Sequence, residues 1–123
     1  MVKMLVLFSQ PEDPEAFDDI YFNEHVPKIM KIPGLQKAEF TRLSSSPLLA
    51  LQGGDFTPPY YLQVDLIFKD AENFQQAMLS PEGQEAVAHV LQFATPIINV
   101  MIGETFTLTK DKYSPGNHLR ILK

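Results

Sequence analysis

The order of strand and helix signals along the chain predicts an α+β fold, β-α-β-β-α-β with the second helical unit split in two, on a four-stranded antiparallel sheet. Three observations carry this expectation. An apolar run opens the chain, two later segments alternate apolar with polar residues, and helix-start residues stand both before the second strand and after the third.

Val2 to Phe8 (VKMLVLF) is rich in strand-favouring residues and ends at Ser9-Gln10-Pro11, so a short strand buried on both faces is expected at the centre of the sheet. Asp13-Pro14-Glu15 then starts a helix. Asp13 supplies the cap, Pro14 suits the first helical position, and the acids face the positive end of the helix dipole. The helix is expected to reach about Lys31 and to stop before Pro33-Gly34. Pro27 offers no backbone donor to the carbonyl of residue 23, which predicts a kink or short break over Asn23 to Val26.

Leu35 to Leu43 and Tyr60 to Phe68 alternate and are read as strands two and three. In the latter, Tyr60, Leu62, Val64, Leu66 and Phe68 share one face, with Tyr61, Gln63, Asp65 and Ile67 on the other. Between them, residues 44–59 form a long connection whose apolar patch, Leu48 to Leu51, is expected to cover part of the molecule. Asp70 caps a helix over Ala71 to Leu79, and Ser80-Pro81-Glu82 starts the next at once. That helix runs to about Phe93 with Val87, Val90, Leu91 and Ala94 on its apolar side and Glu82, Glu85, His89 and Gln92 opposite. A last strand is expected over Ile97 to Thr109, so residues 1–109 form the domain and 110–123 a C-terminal tail.

This is the element order of the ferredoxin-like split βαβ, which sets its helices on one face of the sheet. The other face is too apolar for water, since strand one is apolar on both sides and strand four offers Ile97 and Met101 there. Two copies meeting sheet to sheet would bury that surface, so an isologous homodimer is expected.

The 15 acidic and 10 basic residues give a net charge of -5 without a basic block, which argues against nucleic acid as a partner. Lys110, Lys112, Arg120 and Lys123 read as a solvated tail. The absence of cysteine excludes disulfides, thiolate metal sites and a Cys nucleophile, and fits a cytoplasmic location. The apolar start is too short to span a membrane and lacks a signal-cleavage pattern, so no membrane association is expected. His25, His89 and His118 are scattered, and Gly53-Gly54 precedes no helix, so neither a metal nor a nucleotide cofactor is expected.

His25 is the most informative side chain. Tyr21, Phe22, Val26 and Ile29 flank it on one helix face that should turn toward the sheet, where burial favours the neutral imidazole. The spacing leaves two readings open, a core histidine satisfied by one hydrogen bond or a base at a cleft with Tyr21 as its polar neighbour. Asp65 lies inside a strong strand, and if its face is the dimer interface its charge should be paired, Arg42 from strand two being the candidate, or its pKa raised, in a structural role or a catalytic one.

Phe17 to Leu35 (FDDIYFNEHVPKIMKIPGL), Tyr60 to Phe68 with the acidic cap after it, and Ala77 to Gln84 (AMLSPEGQ) ahead of Phe93 together resemble the EthD family of the dimeric α/β-barrel superfamily. The family is named for a protein associated with ethyl tert-butyl ether degradation. The resemblance spans roughly residues 2 to 107 and departs from the family pattern at Ala88-His89-Val90, where relatives often carry an acidic residue. It implies a homodimer with a pocket between sheet and helices in each subunit, and it makes His25 the leading functional residue. The function expected on this basis is a cofactor-independent enzyme or binder for a small apolar oxygenated metabolite in a catabolic or secondary-metabolic pathway. His25 would accept a proton or a hydrogen bond beside Tyr21, with Phe22, Ile29, Tyr61 and Asp65 as substrate-binding residues. A noncatalytic accessory protein supporting an oxygenase pathway is the other expectation.

Overall fold

Val2–Ser9 (β1) is paired along both edges, with Tyr60–Phe68 (β3) on one side and Ile98–Glu104 (β4) on the other. Leu35–Arg42 (β2) extends the sheet beyond β3, giving the order β2-β3-β1-β4 with every pairing antiparallel. The computed structural model describes residues 1–44, 47–51, 53 and 57–115. His118, Arg120 and Lys123 of the expected tail lie outside the described residues.

The helices are Pro14–Ile20 (α1), Val26–Ile29 (α2), Pro47–Leu51 (α3), Ala71–Leu79 (α4) and Pro81–Ala94 (α5). The starts of α1, α4 and α5 are those the capping residues predict. Asp13 accepts from the Ala16 amide at 3.2 Å, Asp70 from Asn73 at 2.8 Å and Ser80 from Gly83 at 3.0 Å. The core packs the inner sheet residues Val6, Phe8, Leu62, Val64, Leu66 and Phe68 against Phe17, Tyr21 and Ile29 of the first helical unit and Ala86, Val90 and Ala94 of α5. The result is the expected α+β ferredoxin-like arrangement, with an open sheet in the single chain.

Four local expectations need correction. Pro27 does not break the helix; Tyr21–His25 forms a π-helical turn in which the Val26 amide donates to the Tyr21 carbonyl, and α2 continues directly. The wider turn is where the helix accommodates the proline, whose ring and missing donor disfavour the regular hydrogen-bond pattern. The last strand is shorter than expected, Ile98–Glu104 after a 3₁₀ turn at Thr95–Ile97, and its ladder with β1 runs from Ile98 opposite Phe8 to Glu104 opposite Val2. The Thr105 amide donates to the Met1 carbonyl at 2.9 Å, and the ladder ends there.

The third correction concerns the apolar patch in the long connection. Leu48 is 72% and Leu51 85% exposed, so these two cover little in the single chain, while the side chains of Leu49 and Ala50 lie outside those described. The fourth concerns strand faces. Phe8 pairs with Leu62 but Ser9 with Tyr60, and this bulge turns Tyr61 to the helix side, where its ring meets Phe17 edge-on. Arg42 is also on that side, opposite Leu62, so the two-residue period of the strand keeps it away from Asp65.

Candidate functional site

A single feature of the first helical unit sets up the site. Around the π turn, Tyr21 and His25 both point into the core, 1% and 4% exposed, with ring centres 5.2 Å apart. π turns of this kind occur often at functional sites because they rotate side chains out of the regular helical pattern. Phe8, Phe17, Phe22, Phe40 and Phe93 surround the Tyr21 ring and hold it in place.

Tyr21, His25 and Ile29 line a cavity of about 110 Å³ between the sheet and α5. Its remaining lining is apolar, from the inner faces of β1, β3 and β4 and from α4 and α5. An apolar cavity of about 150 Å³ admits benzene, so this space suits the head of a small molecule. The lining grades outward to Val87 and Leu91 of α5 and Val100 of β4, which are 38%, 47% and 46% exposed and form an apolar mouth.

The two polar groups in this lining are unusual. Among the described residues the buried Tyr21 hydroxyl has no hydrogen-bond partner, although buried polar groups almost always have one. Burial pushes that hydroxyl far above the ordinary phenol range, so it is a neutral donor. His25 engages Nδ1 with Nδ1 of His89 at 3.0 Å, which leaves Nε2 as its unengaged nitrogen. Burial first, then the neighbouring His89 and Lys28, lower His25 from 6.5 to about 4, so the imidazole is neutral at ordinary pH.

His89 is the functional neighbour that sequence reasoning missed. It was expected on the polar side of α5, but it is half-buried and reaches His25 across 64 residues of sequence. The available signal was its position next to Val90 and one turn before Phe93, at the border of the buried stripe; its ring centre lies 5.2 Å from that of Phe93. The Lys28–Glu85 ion pair, 2.8 Å long, ties the same two helices together. It holds the Glu85 carboxyl below its usual range.

The other expected site residues fall elsewhere. Phe22 packs on Phe40 and lies under the Arg42 guanidinium, outside the cavity lining. Tyr61 donates to Asp18 at 2.9 Å and receives a hydrogen bond from Arg42, which also pairs with Asp18 at 3.2 Å. Asp65 is 8% exposed on the opposite face of the sheet, held by the Gln63 side-chain amide at 3.2 Å. Among the described residues no three His, Asp or Glu side chains come together as a metal site, and no helix is long and apolar enough to cross a membrane.

Comparison with known proteins agrees with this architecture. The uncharacterized 11.0 kDa protein of the thcB-thcC intergenic region of Rhodococcus erythropolis is 31% identical over 108 residues, covering 88% of this chain and 98% of that protein. The crystal structure of an ethyl tert-butyl ether degradation (EthD) family protein from Bacillus halodurans C-125 is similar with a TM-score of 0.79 and 39% identity, over 86% of this chain and 99% of the other. At 14% identity, SnoaB, a cofactor-independent oxygenase from Streptomyces nogalater, has the same fold with a TM-score of 0.56, over 89% of this chain and 95% of its own. A dimeric ferredoxin-like protein of unknown function from Thermobifida fusca does so at 15% identity and a TM-score of 0.55, over 85% and 90% of the two chains. The EthD domain model matches residues 9–97, and with the sequence and fold in agreement the chain belongs to the EthD family.

Proposed function

We propose that this protein binds a small apolar molecule carrying one carbonyl or hydroxyl oxygen and moves a proton on it without a cofactor. The reading rests on one observation: Tyr21, whose hydroxyl has no hydrogen-bond partner among the described residues, and the neutral His25, engaged through Nδ1 alone, both line an otherwise apolar cavity. An apolar pocket with a few convergent polar groups is the usual form of a small-molecule site. Tyr21 donates a hydrogen bond to the ligand oxygen, and Nε2 of His25 takes the proton from the adjacent carbon or hydroxyl. The mouth at Val87, Leu91 and Val100 leaves room for an apolar extension of the ligand. The likeness to SnoaB places a cofactor-independent enzyme on the same fold, and such small-molecule chemistry suits a catabolic or secondary-metabolic role.

The working form in this reading is a homodimer in which the outer sheet faces meet. Leu5, Leu7 and Met101 lie on that face, and the described dimeric ferredoxin-like neighbour has the same subunit fold. Asp65 then belongs to the dimer face and not to the pocket.

Plain binding without turnover is the second reading, and the weak basicity of His25 favours it. Calorimetry with short lactones, phenols and ketones tests both. Binding that His25→Gln weakens, with proton exchange on the bound ketone catalysed by the wild type alone, supports the enzyme; saturable binding with no exchange supports the carrier. Absence of binding across all three ligand classes overturns the site.

A further inference from the structure

His25 and His89 meet in one plane. Their rings are tilted by 15° and their centres are 5.2 Å apart, close to the largest separation that a 3.0 Å contact between Nδ1 atoms allows. The rings therefore meet edge to edge, and an N–H on one Nδ1 points along the lone pair of the other. His25 is buried at 4% exposure, whereas His89 is only half-buried, at the border of the buried stripe of α5. The contact thus joins the cavity to solvent through two ring systems.

We infer that His89 is a positioning residue and the proton outlet of His25, the pair passing a proton between the cavity and solvent without leaving a charge on the buried ring. This deepens the reading of the cavity as a proton-transfer site. In one state of the neutral pair, Nδ1–H of His25 donates to Nδ1 of His89, and Nε2 of His25 is free to accept. When Nε2 takes a proton from a bound molecule, the Nδ1 proton moves to His89, whose own Nε2–H is released to water. In the other state, His89 donates through Nδ1–H to His25, and Nε2–H of His25 is a donor to the cavity. The reverse sequence, with a proton taken from water at Nε2 of His89, returns a proton to the bound molecule and restores the first state. No oxidant or further reactant enters, and atoms and charge balance in each half.

Such an outlet matters because a buried base that kept its proton would carry an uncompensated charge. The groups around the pair supply no anion to offset one inside the cavity. Tyr21 is a neutral donor, the strand residues lining the cavity are all apolar, Lys28 is a cation, and Glu85 is taken up by Lys28 at the surface with Lys31 near it.

The test is ¹⁵N NMR of the full chain with labelled histidine at neutral pH, compared with His89→Gln and His89→Phe. The wild type should show scalar coupling between the two Nδ1 nuclei. Its Nδ1 shifts should show one protonated and one unprotonated nitrogen, as a single N–H···N bond between the rings requires. In either variant solvent exchange of the His25 ring N–H should slow on the order of a hundredfold, the low end of what a positioned acid-base group contributes. Amide spectra check that both variants keep the fold, and His89→Gln preserves a polar contact should the phenylalanine disturb packing. Absence of coupling, or exchange unchanged in both variants, would overturn the inference. The experiment uses no ligand, so a failure of the proposed binding leaves it standing, and the reverse holds too.

Discussion

Tyr21 and His25 stand one turn apart in the π-helical segment with ring centres 5.2 Å from each other, and both line the same apolar cavity. The Tyr21 hydroxyl is buried without a protein partner among the described residues, so it destabilises the unliganded protein and becomes useful only when an oxygen faces it. Tyr21→Phe is expected to raise unfolding stability by about 1 kcal/mol in denaturant titrations while weakening binding of an oxygenated ligand by roughly tenfold. Equal loss of both stability and affinity would place the hydroxyl in the packing and not in the site.

The lowered pKa of His25 makes stability depend on pH. Between about 4 and 6.5 the unfolded chain binds a proton at His25 that the native chain does not. Stability therefore rises with pH through this window and falls as pH drops toward 4, by up to roughly 3 kcal/mol from this residue. In His25→Gln that part of the slope should vanish. Thermal or urea unfolding at several pH values measures it, and an identical slope in wild type and variant would contradict the assignment.

Gly83 lets the first turn of α5 lie against the Ala77 carbonyl near the end of α4. A Cβ there would lie 2.0 Å from the Ala77 carbonyl oxygen and 3.0 Å from its carbon, and backbone atoms cannot step aside as a flexible side chain can. Gly83→Ala is expected to cost about 3 kcal/mol, the upper part of the range for overpacking. Urea denaturation checks this, and a loss well under 1 kcal/mol would mean that the junction of the two helices yields easily.

On the outer face of the sheet, Leu5 pairs with both Asp65 and Met101, and Met101 is 49% exposed in the single chain. If that face joins two copies, Met101→Asp buries an unpaired charge beside the Asp65 carboxylate at the interface. Sedimentation should then show a dimer for the wild type and a monomer for the variant at the same concentration. Dimers of undiminished stability in the variant would move the interface elsewhere.

Much of this fold is legible in residue order. Asp13, Asp70 and Ser80 mark helix starts because a short oxygen-bearing side chain satisfies a free amide locally, and the structure has them bonded to Ala16, Asn73 and Gly83. The inward direction of Tyr21 and His25 also follows from spacing, since four residues return a helix to nearly the same face. Tyr61 was not legible in this way. Its face depends on the bulge opposite Phe8 and Ser9, and alternation within β3 contains no record of how β1 is paired with it.

The sequence by itself determined the α+β element order, the antiparallel sheet, the caps and the burial of His25, because each follows from interactions within one segment or from its own periodicity. Only the tertiary structure decided that His25 bonds to His89, that Arg42 serves Asp18 and Tyr61 instead of Asp65, and that the π turn opens onto a cavity. Those outcomes depend on how α2 is set against α5 and in what register the strands pair. Such geometry arises when the whole core packs at once, and residues 64 positions apart meet only then.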